Sequence, residues 1–183
     1  METNRTMLFV LISLIAGSFL LSSCGGDEKE NTPGGTDTTF LSISINGGAE
    51  ITFTGIDVNG AHYTTDVMPP YINANSTAIK FGSMSGPGGL LSFAGSVPGT
   101  YAIENTDGFL SYSLNATDFY QAYQVWETLG NIVISEFGAV GEAVSGTFSI
   151  TDAQEFVDNN PTANLVPLTG SFSFVRLPDD TPL

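Results

Sequence analysis

His62 is the only histidine and Cys24 the only cysteine in the 183-residue chain, which leaves few routes to side-chain chemistry. A serine hydrolase needs a base within hydrogen-bond reach of its nucleophile, and His62 is the one imidazole that could serve. The best serine arrangement, Gly82-Ser83-Met84-Ser85-Gly86, lacks the order of a nucleophile elbow and sits in a Gly- and Pro-rich stretch. His62 follows Asn59-Gly60, where a half-exposed hairpin residue is expected rather than a catalytic one. One His and one Cys provide no ligand set for structural zinc, and a lone Cys forms no internal disulfide.

Carboxylates are plentiful, 19 Asp and Glu against 4 Lys and Arg, for a net charge of -15. A pair of them could hydrolyse glycosides if the fold held the two about 5 to 9.5 Å apart, which spacing in sequence does not decide. Most are read here as a means of solvation. Ca²⁺ wants about six to eight oxygens. The best clusters for it are Asp57, Asn59 and Asp66, and Asp152 with Asp158, Asn159 and Asn160, none with EF-hand spacing. Their ordinary roles would be a hairpin turn and a helix cap, so neither a metal nor a cofactor is expected. Tyr120, Tyr123 and Trp126 are the candidates for a sugar-stacking platform, with Tyr63 and Tyr71 further off. On a strand, Tyr120 and Trp126 share a face and Tyr123 lies opposite; on a helix, Tyr123 and Trp126 come together. Four positive charges cannot neutralise a row of phosphates, so binding to nucleic acid or a polybasic grip on anionic lipid is excluded.

The elements that would position these residues begin with an address. Met7 to Leu21 is a run of fifteen mostly apolar residues behind Arg5. At 1.5 Å per residue it reaches about 22 Å as a helix, short of the ~30 Å hydrocarbon core, and has the length of a signal-peptide h-region. It ends in Leu21-Ser22-Ser23-Cys24, which resembles the bacterial lipobox. That resemblance implies residues 1–23 as signal peptide, a thioether-linked diacylglycerol on Cys24, cleavage before it, and acylation of the new N-terminus by palmitate-like chains. At ~0.8 kcal/mol per buried CH₂, two or three chains anchor a protein lastingly to a membrane. Gly25-Gly26-Asp27-Glu28-Lys29-Glu30 resembles the start of lipoproteins sent to the outer membrane and, in Bacteroidota-type bacteria, onward to the cell surface. Residues 25–39 carry no apolar side chain but Pro33 and are expected to form, with Cys24, a flexible acidic and Gly-rich tether.

From Phe40 the pattern becomes period two. Leu41, Ile43 and Ile45 alternate with Ser42 and Ser44 up to the turn signal Asn46-Gly47-Gly48. Further β-rich runs fall at 50–58, 77–84, 90–94, 100–104, 109–114, 131–137, 143–150 and 171–177, and Asn59-Gly60 between two of them predicts a hairpin. In 143–150, Val144, Phe148 and Ile150 face one way and Ser145, Thr147 and Ser149 the other, one dry face and one wet. The segment 118–129 (DFYQAYQVWETL) fits either a helix or an aromatic strand, with strand favoured because Asn115 to Asp118 looks like a turn between strands. Residues 152–160 open with Asp152 and Glu155 at capping-box spacing and predict one or two helical turns. The expectation is one all-β domain over 40–178: an antiparallel β-sandwich of about nine or more short strands, or alternatively a small β-barrel, with a tail at 179–183.

Gly99-Thr100-Tyr101, the IVIS run at 132–135, Ser145-Gly146-Thr147-Phe148-Ser149 and Thr169-Gly170-Ser171-Phe172-Ser173-Phe174 carry a further resemblance. In this order they look like an uncharacterised family of Bacteroidota-type lipoproteins, small β-rich domains behind a lipobox. The resemblance implies fold and location and brings no site residues. The expected function is a lipid-anchored envelope protein with a binding or structural role and no catalysis. Its partners would be the membrane, through the acyl groups, and a glycan or protein. A glycan- or small-ligand-binding module and a carboxylate-pair hydrolase are the alternatives.

Overall fold

Period-two patterning gives eleven strands among the described residues: β1 (Phe40–Ile45), β2 (Ile51–Thr54), β3 (Val58–Tyr63), β4 (Ser76–Gly82), β5 (Gly88–Ala94), β6 (Gly99–Ala102), β7 (Gly108–Ser113), β8 (Phe119–Ala122), β9 (Gly130–Phe137), β10 (Ala143–Val157) and β11 (Asn160–Val175). The computed structural model describes residues 39–68, 71–83, 86–104, 108–123 and 128–183. The expected signal peptide, Cys24, the tether up to residue 38 and Trp126 lie outside them. All eleven strands join one antiparallel sheet, and no helix among the described residues is long and apolar enough to cross a membrane. The all-β antiparallel reading is therefore correct, and the sheet is bent almost into a barrel.

The bend lies in β10. Its first half pairs with β9, Gly146 opposite Ile134 and Phe148 opposite Ile132, whereas Gln154 and Phe156 pair with Gln121 and Phe119 of β8. Between them the register against β11 shifts from Ile150 to Ala153, and the Thr151 amide donates to the Leu129 carbonyl at 2.8 Å instead of to a ladder partner. Extra residues at such a bulge kink a strand and increase its twist. One long hairpin thus serves two layers: β2-β1-β11-β10-β9-β6, and β10-β8-β7-β5-β4-β3. The far edge returns to the start, where Gly60 of β3 bridges Arg176, the Leu177 amide donates to the Gly60 carbonyl at 3.0 Å, and the Asp180 amide to the His62 carbonyl at 2.9 Å.

Alternate side chains of both layers meet in one core. Leu41, Ile43, Ile132, Val144, Phe148, Phe172 and Phe174 come from the first layer, and Ile79, Phe81, Leu91, Phe93, Leu110 and Tyr112 from the second, all buried. At roughly 1.5–3 kcal/mol for each large apolar side chain fully buried, this core is the main force holding the layers together. Phe53 of β2 lies 5.3 Å from Phe81 and 6.3 Å from Tyr112, ring centre to ring centre, so packing rather than a ladder spans the gap between β2 and the β3 side.

Two local expectations are corrected. Asn59-Gly60 is no turn: both residues sit inside β3, opposite Lys80 and Ile79, and the 3-10 turn Gly55–Asp57 joins β2 to β3 without pairing them. Residues 152–160 are not helical either. Strand β10 runs to Val157, and Asp158 and Asn159, at φ of 51° and 61°, turn it into β11. Glu155, expected to cap a helix, accepts hydrogen bonds from Thr162 Oγ1 at 2.9 Å and Asn164 Nδ2 at 2.7 Å across that hairpin. Strand pairing on both sides supplies the backbone partners a helix would have supplied. By contrast Asn46, at φ 51°, and Gly47 form the expected turn. Asn115 Oδ1 accepts the Thr117 and Asp118 amides, both at 2.9 Å, in the turn expected before β8.

Candidate functional site

His62 does not occupy a half-exposed hairpin; it is 8% exposed, on β3 beneath the C-terminal segment. Thr77 Oγ1 donates its single proton to the Gly95 carbonyl at 2.6 Å, so its 3.2 Å contact with His62 Nδ1 requires that nitrogen to carry the hydrogen and donate. Burial pushes the His62 pKa below its ordinary value, opposed by Asp179 and Asp180 and reinforced by Arg176. The imidazole is thus a neutral donor fixed in the sheet.

Residues 176–181 form a strap over this edge. Asp180 accepts the Thr64 amide at 2.8 Å on Oδ1 and the Thr64 hydroxyl at 2.6 Å on Oδ2, bonds that hold its carboxyl below the usual range. Tyr63 donates its phenol to the Thr181 carbonyl at 2.7 Å, and burial, with Asp180 nearby, raises its pKa to about 12. Arg176 lies over the Phe137 ring at 5.0 Å, pairs with Asp179 at 2.6 Å and donates to the Gly138 carbonyl at 3.2 Å. The segment set apart as a tail at 179–183 therefore includes residues that help complete the sheet.

The two described aromatic candidates, Tyr120 and Tyr123, are separated. Segment 118–123 contains strand β8, as favoured. Tyr120 turns toward the core and stacks on Tyr112, 6.5 Å between centres and 6° between planes. Tyr123 lies on the opposite side, 5.1 Å from Tyr71 and 6.2 Å from Phe109. Tyr71 is held over this outer side by Phe109 at 4.5 Å and by Ser92, whose hydroxyl donates to its carbonyl at 2.6 Å. Tyr120 and Tyr123 therefore do not share one platform; the period of two sends them to different clusters.

The oxygen clusters are engaged locally. Asp66 Oδ1 accepts the Ala74 amide at 2.7 Å, and Asn59 donates its side-chain amide to the Ile56 carbonyl at 2.9 Å. Asp57 sits in the 3-10 turn. No group of three or more His, Cys, Asp or Glu among the described residues is placed to hold a metal.

A different surface, not singled out as a site from the sequence, emerges on the outer side of the first layer. Since Leu41, Phe172, Phe148 and Ile132 point inward, their neighbours point out, and the register aligns them in rows. One row runs Thr52, Ser42, Ser171, Thr147, Val133, Thr100 across β2, β1, β11, β10, β9 and β6. The next runs Ser44, Thr169, Ser149, Asn131. Ser42 and Ser171 hydroxyls lie 3.0 Å apart, and those of Ser135 and Ser145 3.2 Å. Thr52, Thr100, Asn131, Val133, Thr147, Ser149 and Thr169 are exposed. The signal was present in the alternating Ser and Thr of SISI, GTFSI and GSFSF, but only strand order brings these runs side by side. Comparison with protein-family models, with curated proteins and with solved structures finds no match.

Proposed function

We propose that the protein is a lipid-anchored cell-envelope protein of the Bacteroidota lipoprotein type, held in the outer membrane by acyl groups on Cys24 and facing the cell surface. Its β-domain acts by binding or as a structural component rather than by catalysis. The observation that carries this reading is Leu21-Ser22-Ser23-Cys24 closing an apolar run of signal-peptide length, with a Gly-rich acidic stretch behind it. The sole imidazole gives its Nδ1 hydrogen to Thr77, which supports a non-catalytic role for it. A net charge of -15, unchanged once residues 1–23 are removed, suits copies crowded on one membrane because like charge keeps them apart.

Intact-mass spectrometry of protein extracted from native membranes tests the reading. The expected species begins at Cys24 and carries diacylglycerol and an N-terminal acyl group. A chain with a free thiol at position 24, or one released into the medium, would overturn it.

A further inference from the structure

We propose that an apolar patch around the point where the chain enters the sheet rests on a zwitterionic lipid surface and orients the domain against the membrane. This rests on the reading of a lipid-anchored protein. The entry point is Thr39, whose carbonyl accepts the Gly55 amide at 3.0 Å, and Ile56 follows in the 3-10 turn Gly55–Asp57. Ile56 is 92% exposed, the most of any large apolar side chain among the described residues. Register adds its neighbours. Phe40 faces away from the core opposite Ser173, since Leu41 points inward. Val175, two residues on, projects from the same side as Ser173 and is 48% exposed, because Phe174 between them is buried. Val175 stands opposite Ala143, at the foot of the turn over 138–142. That turn carries Val140, 51% exposed. It is pinned beside Val175 by the Gly141 amide on the Arg176 carbonyl and the Arg176 amide on the Glu142 carbonyl, both at 2.9 Å.

An exposed aliphatic residue is ordinary when it stands alone; here Ile56, Val140 and Val175 gather around a half-buried Phe40 at the root of the expected tether. The chain ahead of Thr39 identifies what covers them. Residues 24–38 carry no apolar side chain beyond Cys24 but Pro33, so they have little to lay on the patch. Fully extended, this stretch reaches at most about 54 Å, and as a random coil it spans about 20 Å. With acyl groups at Cys24, contact between patch and bilayer becomes an intramolecular event. A patch too small to hold a free protein on lipid is then enough to orient an anchored one. Charge sets the lipid. Asp57 follows Ile56, and Glu136 stands opposite Ser145; both are exposed at the margin of the patch. Glu142 turns its carboxylate back onto the Ala139 amide at 2.8 Å, and Arg176 is already paired with Asp179. Anionic headgroups therefore meet repulsion, whereas zwitterionic headgroups do not, and their acyl boundary accepts Ile56 and the valines. A second copy would bring a further -15 to the contact.

The test is depth quenching on vesicles. The mature chain from residue 24, with Cys24→Ser and a histidine tag ahead of it, is held on phosphatidylcholine vesicles by a nickel-chelating lipid. A single introduced cysteine carries the fluorophore NBD. In Ile56→Cys the label should shift to the blue and lose about half or more of its emission to doxyl groups on the lipid chains. Val140→Cys should do the same and repeats the measurement if the first variant fails to fold. Leu165→Cys, equally exposed but ten residues before Val175 on β11, should do neither. Replacing about a third of the phosphatidylcholine by phosphatidylglycerol should weaken quenching at residue 56 about twofold or more. Equal quenching at 56 and 165, no quenching at 56 and 140, or stronger quenching on phosphatidylglycerol would each overturn the proposal. A blue shift without quenching, growing with protein density on the vesicle, would also overturn it and assign the patch to a second copy. The nickel lipid supplies the anchor, so these outcomes are independent of acylation at Cys24, which the mass of the native protein tests separately.

Discussion

The ring of Phe174 fills the space that a side chain at residue 60 would need: a Cβ built on Gly60 would lie 2.3 Å from Phe174 Cε2 and 2.6 Å from Cζ. Gly60 is therefore a point of close approach between β3 and the end of β11, where the sheet returns on itself. Its backbone carries the closing contacts, the bridge to Arg176 and the bond from the Leu177 amide.

Gly60→Ala should destabilise the domain by about 1–3 kcal/mol, because neither the buried ring nor the ladder can give way freely. Gly47→Ala has nothing within 4 Å of its new Cβ but places a side chain at φ +68°, so it should cost only about 1 kcal/mol. Urea midpoints at unchanged m-value measure both. Equal losses would mean that Phe174 moves aside.

Truncating Phe174 to Ala removes a side chain that is 1% exposed at the same junction, and a loss of about 3–5 kcal/mol is expected. Hydrogen exchange should then rise first at the Leu177 and Asp180 amides, which donate to β3.

Acid should loosen the strap. The His62 pKa is lower folded than its ordinary 6.5, so the folded chain binds fewer protons and stability rises with pH. That contribution is complete above pH 6.5 and is lost as pH falls through the folded value. Asp180, also lowered, adds a second loss below its ordinary 3.8. Melting temperature should decline on acidification from neutrality toward pH 5, and the decline should be shallower in His62→Gln. A parallel decline in both chains would remove His62 as its cause.

At the other end of the scale, Tyr63 ionises at about 12 when folded against 10.0 ordinarily. Its stabilising contribution is complete below pH 10 and is lost as pH rises toward 12. Burial also raises Tyr71, Tyr112, Tyr120 and Tyr123, so ultraviolet titration should show several late phenols, and the latest step should disappear in Tyr63→Phe. That substitution should cost about 1 kcal/mol near neutrality, by leaving the Thr181 carbonyl without its donor.

The bent hairpin depends on Gln154, whose side-chain amide donates to the carbonyls of Thr162 at 2.8 Å and Glu155 at 3.0 Å where the ladder is interrupted. Gln154→Ala should destabilise by about 1–2 kcal/mol and expose the 160–166 amides to exchange, with little change at β1 and β9. Uniform deprotection would show that the hairpin does not open separately.

Local order along the chain was enough to establish β structure and the inward faces of its strands. Leu41 and Ile43, Val144 and Phe148, and Phe172 and Phe174 are buried as their alternation required, because a period of two is a property of one strand alone. The turns at Asn46-Gly47 and Asn115 to Asp118 were legible for the same reason, being made by residues next to one another. What alternation could not carry was pairing. Asn59-Gly60 has the composition of a turn, yet β4 on one side and Phe174 above made it a strand interior. Asp152 and Glu155 have the spacing of a helix start, yet β8 and β11 paired with the backbone first. His62 became a buried donor only because Thr77 and residues 176–181 arrived from far along the chain. The hydroxyl rows exist only across strands, since hydrogen-bond register, fixed by the bulge in β10 and by closure at Gly60, decides which serines and threonines stand beside one another.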